Sequence, residues 1–240
     1  MTTFPINLRR DVRRVLEDCM RRHLRKGDVV YDVGCGTKPF VRPLASLEVA
    51  YVGIDIDNGF YGEDAVDIMG VADALPLRAG VADAVLSSQV IEHLSDPEEA
   101  LREAHRVLKP GGLLFISFPL LFPLHAAPYD FFRYTEHGFA AMCRRHGFEI
   151  VEAHEMGGFW YMLSVFGDRY ANTFDRWIAK RLRIVPILSL PARALLWALH
   201  GLEGAVYATV GKDARGSRRT WALNYVYVAR RLPAVPGPAR

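Results

Sequence analysis

Between Asp28 and Ala153 the apolar positions fall into short runs separated by polar or helical stretches. The runs cover 29–33, 49–54, 65–69, 82–86, 113–118 and 148–153. Each reads as a short buried strand. Their alternation with helical segments predicts a parallel sheet covered on both faces. A further strand is expected at 221–229, where Leu223, Tyr225 and Tyr227 alternate with Asn224, Val226 and Val228.

Helical periodicity marks the segments between. Leu8, Val12, Val15, Leu16, Cys19, Met20 and Leu24 form one stripe, backed by Arg9, Arg10, Arg13, Arg14, Arg21, Arg22 and Arg25. That basic face is either simply solvated or a contact for phosphate or anionic lipid. Asp96, Pro97 and Glu99 have the spacing of a capping box. The helix they open buries Leu101, Ala104, Val107 and Leu108 and stops at the turn Lys109-Pro110-Gly111-Gly112. Thr135 caps another helix, which buries Phe139, Met142 and Cys143 and ends at Gly147.

The rhythm changes over 157–219. One helical pattern runs from Leu163 through Phe166, Tyr170, Phe174, Trp177 and Ile178 to Leu182. A second begins near Pro191 and continues through Leu195, Leu199, Leu202 and Val206. The expected organisation is an N-terminal amphipathic helix (1–27), an α/β domain (28–156 plus 220–231), a helical insertion (157–219) and a disordered Pro/Gly-rich tail (232–240).

The composition is that of a globular chain: 240 residues, 50% hydrophobic and 24% charged. A net charge of +3 is too small to indicate nucleic-acid binding without a localised patch. Cys19, Cys35 and Cys143 include no C-x-x-C pair, which argues against a disulfide framework or zinc site and for a reducing, cytoplasmic compartment. The first residues lack a signal-peptide pattern, and no apolar run is long enough to span a bilayer.

The segment Val30-Tyr31-Asp32-Val33-Gly34-Cys35-Gly36 reads as a buried strand ending in a Gly-x-Gly turn, which permits close approach of a ligand to the backbone. The second strand ends in Asp55, placed to accept hydrogen bonds from ribose hydroxyls or else to serve as a turn residue before Asp57, Asn58 and Gly59. Pro39 stands where a dinucleotide fingerprint has its third glycine. Pyrophosphate needs amide donors that proline lacks, so the turn suits adenosine without pyrophosphate.

Asp32-Val33-Gly34-Cys35-Gly36 resembles the first motif of class I S-adenosylmethionine (SAM)-dependent methyltransferases. Gly53-Ile54-Asp55, Ala72-Asp73-Ala74-Leu75-Pro76-Leu77, the segment 82–94 and Arg106-Val107-Leu108-Lys109-Pro110-Gly111-Gly112 follow in that family's order. The resemblance implies a Rossmann-like, doubly wound α/β sheet of seven strands, mostly parallel with the last antiparallel. Here a helical insertion precedes the last strand. It implies SAM as cofactor, with Gly34 and Gly36 against its methionine and ribose and Asp32 orienting its amino-acid end. Asp55 would hold the ribose hydroxyls, Asp73 and the Ala74 amide the adenine, and Ser88 and Gln89 the methionyl end. Lys38 departs from the family, many of whose members have a third glycine there.

The segment from His125 to Thr135 resembles the H-x-x-P-x-D-[FY]-[FY]-R-[FYW]-T stretch of a methyltransferase subgroup often found with polysaccharide or glycolipid assembly genes. It follows the fifth strand, at the sheet edge where open α/β folds place substrates. His125 is the expected general base, unless it only braces the loop. Asp130 and Arg133 are either catalytic or a structural ion pair. Tyr129, Tyr134 and His93 line the acceptor or belong to the packing, and Glu92 faces the transfer site or merely opens a helix. No carboxylate set for Mg²⁺ is evident.

The aromatic insertion reads as a lid over the acceptor, a homodimer interface, or a peripheral membrane contact suited to a lipid-linked acceptor. The expected activity is methyl transfer to a hydroxyl of a small, sugar or lipid-linked molecule. The alternatives are a non-catalytic SAM-fold subunit and a NAD-dependent oxidoreductase.

Overall fold

A computed structural model describes residues 8–56, 66–182 and 221–233, with isolated positions between 191 and 205. The elements are α1 (Leu8–His23), β1 (Val29–Val33), α2 (Val41–Ala45), β2 (Ala50–Asp55), β3 (Ile68–Met69), β4 (Ala82–Ser88), α3 (Pro97–Val107), β5 (Leu108–Pro119), α4 (Glu136–Arg145), β6 (Phe148–Gly157), α5 (Phe159–Leu182) and β7 (Ala222–Arg231). A single 3-10 turn, Ile91–His93, lies between β4 and α3.

The sheet has seven strands in the order β3-β2-β1-β4-β5-β7-β6. β1 pairs in parallel with β2 and β4, β2 with β3, and β4 with β5. β7 runs antiparallel to β5, with Pro119 opposite Asn224 and Leu113 opposite Arg230. The order reverses at β1 and β4, so their C-terminal ends open the crevice where α/β sheets hold ligands.

Local sequence explains the helices that frame this edge. Asp96 caps α3 by accepting from the Glu99 amide at 3.0 Å, with Pro97 in the first turn. Thr135 caps α4 by accepting from the Gly138 amide at 3.1 Å. Gly147, at φ 75°, turns the chain into β6. On α1 the predicted stripe is covered at Val12, Leu16, Cys19 and Met20, and the arginines face outward. Among them Arg13 pairs with Glu17 and Arg22 with Glu152.

Several expectations are corrected. The 109–112 segment is not a separate turn. It lies inside β5, where the register with β4 jumps from Ala82↔Leu108 to Ala84↔Leu113, because a bulge absorbs the glycines. β4 continues to Ser88 and β6 to Gly157, beyond their apolar runs. β7 does not alternate between core and solvent: Ala222–Ala229 are all buried, since the strand is interior to the sheet. The 65–69 strand is only Ile68–Met69 among described residues. Of the second helical pattern of the insertion, Pro191, Leu195, Leu199 and Leu202 are described and helical, whereas Val206 and the tail beyond Pro233 lie outside the described residues.

The chain divides into two compact units, one of Val12–His154 with Asn224–Arg240, the other of Met1–Asp11 with Glu155–Leu223. In the second, Tyr161 of α5 is buried and donates to Asp11 at 2.8 Å. In the first, Phe118 packs on Phe139 with ring centroids 3.9 Å apart and on Tyr227 at 5.2 Å. Each such ring contributes roughly 1.5–3 kcal/mol by its burial. Together they anchor the end of β5, from which the His125–Thr135 loop departs.

Candidate functional site

All the sequence-predicted site residues lie in the first unit, at or beyond the C-terminal ends of β1, β2, β3, β4 and β5, save that Asp32 stands inside β1. Gly34 and Gly36 adopt φ 77° and 51°, in the left-handed region that favours glycine. The Gly36 amide donates to Asp55 Oδ2 at 2.7 Å, and the Ile56 amide donates to Oδ1 of the same carboxylate at 2.8 Å. The two motifs are thus one object: the acid closing β2 holds the turn closing β1. The space beside Gly34 is taken by protein. A Cβ there would lie 2.3 Å from Val90 Cγ2, so this glycine admits the chain leaving β4.

Asp32 is 1% exposed and accepts from the Tyr51 hydroxyl at 2.6 Å. Burial raises its pKa to about 7, the Tyr51 hydrogen bond lowering it and the Asp55 charge raising it in smaller measure. Cys35 is buried, its thiol pushed up to about 12 chiefly by burial, which makes it packing rather than nucleophile. Gly53 leaves that thiol room, since a Cβ there would be 2.8 Å from Cys35 Sγ. Lys38 takes φ 52°, the glycine-like conformation at the family's third glycine position, and its Nζ reaches Asp67 at 2.7 Å.

The expected adenine-side residues follow β3. Asp73 is half-buried, and the Ala74 amide donates to the Val71 carbonyl at 3.2 Å. Ser88 and Gln89 belong to a polar network that ties β4 to β5 and β7. The Ser88 and Ser117 hydroxyls are 3.1 Å apart, and Gln89 Nε2 donates to Ser117 Oγ at 3.0 Å. Gln89 and Asn224 exchange two amide hydrogen bonds of 3.1 and 2.9 Å. Gln89 sits at φ 58°, an uncommon backbone for a side-chain-bearing residue. Asn224 and Ser117 carried no signal in the sequence, because a polar residue in an alternating strand reads as solvent-facing.

Beyond β4 a second cluster forms. Glu92, on the 3-10 turn, is fully buried, and among the described residues neither carboxylate oxygen has a hydrogen-bond partner. Burial raises its pKa to about 7, against the smaller lowering effects of its own backbone amide and of Arg133. His93 Nε2 lies 3.8 Å from Glu92 Oε1. The rings of His93 and His125 meet edge-on with centroids 4.7 Å apart. His93 Nδ1 is 2.5 Å from the Tyr129 carbonyl; a carbonyl only accepts, so Nδ1 carries a proton and Nε2 is the nitrogen turned away from that contact. His125 Nδ1 faces two oxygens, Pro123 O at 3.2 Å and Asp130 Oδ2 at 3.3 Å, with Arg133 Nη2 at 3.4 Å. Burial lowers the His125 pKa, more than the Asp130 charge restores it, so the neutral ring prevails.

Asp130 and Arg133 brace this loop. The Asp130 carboxylate is wholly covered, accepts from Arg133 at 2.6 and 2.8 Å and from the His125 amide at 2.9 Å, and is held well below the ordinary carboxylate range by that guanidinium. Arg133 also donates to the Phe122 carbonyl at 3.1 Å. Their polar atoms are spent on each other and the loop, which makes them positioning residues for His125. The Tyr134 hydroxyl donates to the Ile91 carbonyl at 3.2 Å and its ring stacks on Phe132. The Tyr129 ring is exposed and contributes its carbonyl to His93.

Residues 31–116 match the family model described as a methyltransferase domain. Over that stretch the chain matches a methyltransferase domain, and its sheet order with an antiparallel last strand is that of the class I SAM-dependent methyltransferase fold. Over 103 residues, 38% of this chain, it is 34% identical to the ubiquinone biosynthesis O-methyltransferase of Caulobacter vibrioides, covering 41% of that protein. The mitochondrial enzyme of the same name from Mus musculus is also 34% identical, over 105 residues and 28% of its length. The chain thus spans less than half the length of these curated relatives. Among solved structures, the [4+2]-cyclase SpnF aligns over 91% of this chain and 80% of its own with TM-score 0.59 and 22% identity. The Burkholderia thailandensis 1,6-didemethyltoxoflavin-N1-methyltransferase, solved with S-adenosylhomocysteine, aligns over 92% and 79% with TM-score 0.56 and 16% identity. At these identities the likeness is one of fold. No helix among the described residues is long and apolar enough to cross a membrane.

Proposed function

We propose that the chain is a SAM-dependent methyltransferase acting on a hydroxyl oxygen. The observation that carries this reading is the contact of Asp55 with the Gly36 amide, which puts a carboxylate at the glycine turn where the two central strands end. Asp55 would take the ribose hydroxyls and Asp32, the buried acid behind the turn, the cationic amino-acid end. Asp73 would take the adenine amino group. The bound sulfonium supplies an activated methyl group, and alignment then supplies most of the rate.

The chain's own residues handle the acceptor. Glu92, His93 and His125 converge just after β4, joined to the glycine turn through Val90. They offer a carboxylate and two ring nitrogens to an acceptor hydroxyl, one of which can take its proton as the oxygen receives the methyl group. Leu124, Tyr129 and Phe131 are exposed on the same loop, which suits an acceptor with an apolar or aromatic body, lipid-linked acceptors included. The names of the ubiquinone-biosynthesis relatives agree with oxygen as the methylated atom.

The test is acceptor-dependent release of S-adenosylhomocysteine from SAM, read by mass spectrometry across phenolic, sugar and polyprenyl-linked hydroxyl compounds. Methylation of a hydroxyl bears the reading out. A fold shared with a [4+2]-cyclase favours one other outcome: cofactor bound, SAM never consumed, and a different reaction or none catalysed.

A further inference from the structure

Two groups of described residues bring metal-ligating atoms together. One is Cys19, Glu152 and His154; the other is Glu92, His93 and His125. They differ in how the carboxylate is satisfied. Glu152 is already bound by Arg22, His23 and His154, the last two at 2.6 Å. Glu92 is fully buried, and both of its oxygens lack a hydrogen-bond partner among the described residues. A buried carboxylate without a partner is costly, and a cation at that point removes the cost.

The imidazoles are arranged for the same ligand. In metal sites a histidine that binds through one nitrogen usually donates the other N–H to a carbonyl or carboxylate. His93 does so to the Tyr129 carbonyl, and His125 Nδ1 lies 3.2 Å from Pro123 O, which can only accept. The nitrogen left on each ring is Nε2. One atom from each of the three residues lies within 4.8 Å of the others. A cation about 2.0–2.2 Å from each would draw them to about 3–3.5 Å apart, a movement of about an ångström that side-chain rotation supplies.

We propose that Glu92, His93 and His125 hold a divalent transition-metal ion, Zn²⁺ being the best match, with one coordination position left for the acceptor oxygen. Two imidazoles and one carboxylate suit Zn²⁺ or its first-row neighbours and disfavour Mg²⁺, which prefers oxygen ligands. The arrangement has three protein ligands, the pattern of an open catalytic site. The catalytic part of the inference rests on the methyl-transfer reading above. An acceptor hydroxyl on the ion gives its proton to solvent at near-neutral pH. The oxygen's electron pair then forms the bond to the methyl carbon, and the carbon–sulfur bond breaks with its pair returning to sulfur. His125 is then a ligand, and Asp130 and Arg133 fix its ring.

The experiment is calorimetric titration of EDTA-stripped full-length protein with ZnCl₂, without SAM, with thermal unfolding as a check on folding. Expected are one Zn²⁺ per chain, no competition by a tenfold excess of Mg²⁺, and a rise in Tm on zinc addition. Affinity should fall by about 100-fold in Glu92→Gln and in His125→Ala, with His154→Ala, in the other cluster, unchanged. Should Glu92→Gln fail to fold, His93→Ala and His125→Ala carry the same readout. No stoichiometric zinc binding, zinc binding indifferent to these variants, or binding lost in His154→Ala alone overturns the proposal. S-adenosylhomocysteine titrated into the zinc-free protein tests the cofactor reading separately. Cofactor binding without zinc binding sinks only the metal site, and the converse sinks only the cofactor reading.

Discussion

The hydroxyl of Tyr51 on β2 donates to Oδ2 of Asp32 on β1 at 2.6 Å, across two adjacent parallel strands and beneath the glycine turn. That hydroxyl partners a carboxyl group that is 1% exposed. Asp32 therefore sits between two protonation states, with burial raising its pKa to about 7.

That poise sets the pH dependence of cofactor binding. A cation recognised by Asp32 selects the ionised form, whose population rises from about one tenth at pH 6 to about nine tenths at pH 8 around a pKa of about 7. Affinity for SAM should therefore increase about tenfold over that interval. Calorimetry at several pH values checks it, and Tyr51→Phe should move the rise to higher pH. The sign for stability is opposite. Because the folded pKa lies above the unfolded one, the folded state binds the extra proton, and this contribution fades as pH climbs from about 4 to about 7.

Asp55→Ala removes a carboxylate that both accepts from the Gly36 and Ile56 amides and is proposed to hold the ribose. Loss of a charge-assisted hydrogen bond is worth about 1.5–3 kcal/mol, or about 10- to 100-fold in cofactor affinity. Asp55→Glu, which keeps the charge and displaces it, should fall between wild type and alanine in the same titration.

Gly34→Ala should destabilise the fold by about 1–3 kcal/mol, since φ 77° disfavours a side chain and the new Cβ would meet Val90 Cγ2 at 2.3 Å. Urea denaturation measures the loss. Val90→Ala in the same chain should recover the part due to the clash and leave the part due to backbone strain.

The elements legible in the sequence were those whose causes are local. Asp96 and Thr135 are capping residues that cap, and the runs over 29–33 and 82–86 are strands because their residues are apolar on both faces. The cofactor side was legible for the same reason, as Gly34, Gly36 and Asp55 act through backbone geometry within short motifs. What escaped depends on distant partners. Nothing near Asn224 announces Gln89, and nothing near Tyr51 announces Asp32. Glu92 was visible as a residue but not as an orphaned carboxylate, because its isolation is made by the loop that returns over it through Phe131 and Phe132, whose amides both donate to its carbonyl.

Glu152 offers a test of the α1–β6 contact. Although burial opposes it, hydrogen bonds from His23, His154 and Arg22 lower its pKa to about 2. With the folded pKa below the unfolded one, its stabilising contribution is complete above about pH 4.5 and disappears as pH falls towards about 2. Glu152→Gln should flatten the stability–pH curve in that window, as followed by chemical denaturation, and leave the curve above it parallel to that of wild type.

The most direct test of the cofactor crevice is a crystal structure of the protein grown with S-adenosylhomocysteine. Density is expected along the C-terminal ends of β1 and β2, with the ribose hydroxyls within hydrogen-bond distance of Asp55 and the amino-acid end directed at Asp32. A crevice filled by protein side chains, or the ligand bound elsewhere, would contradict it.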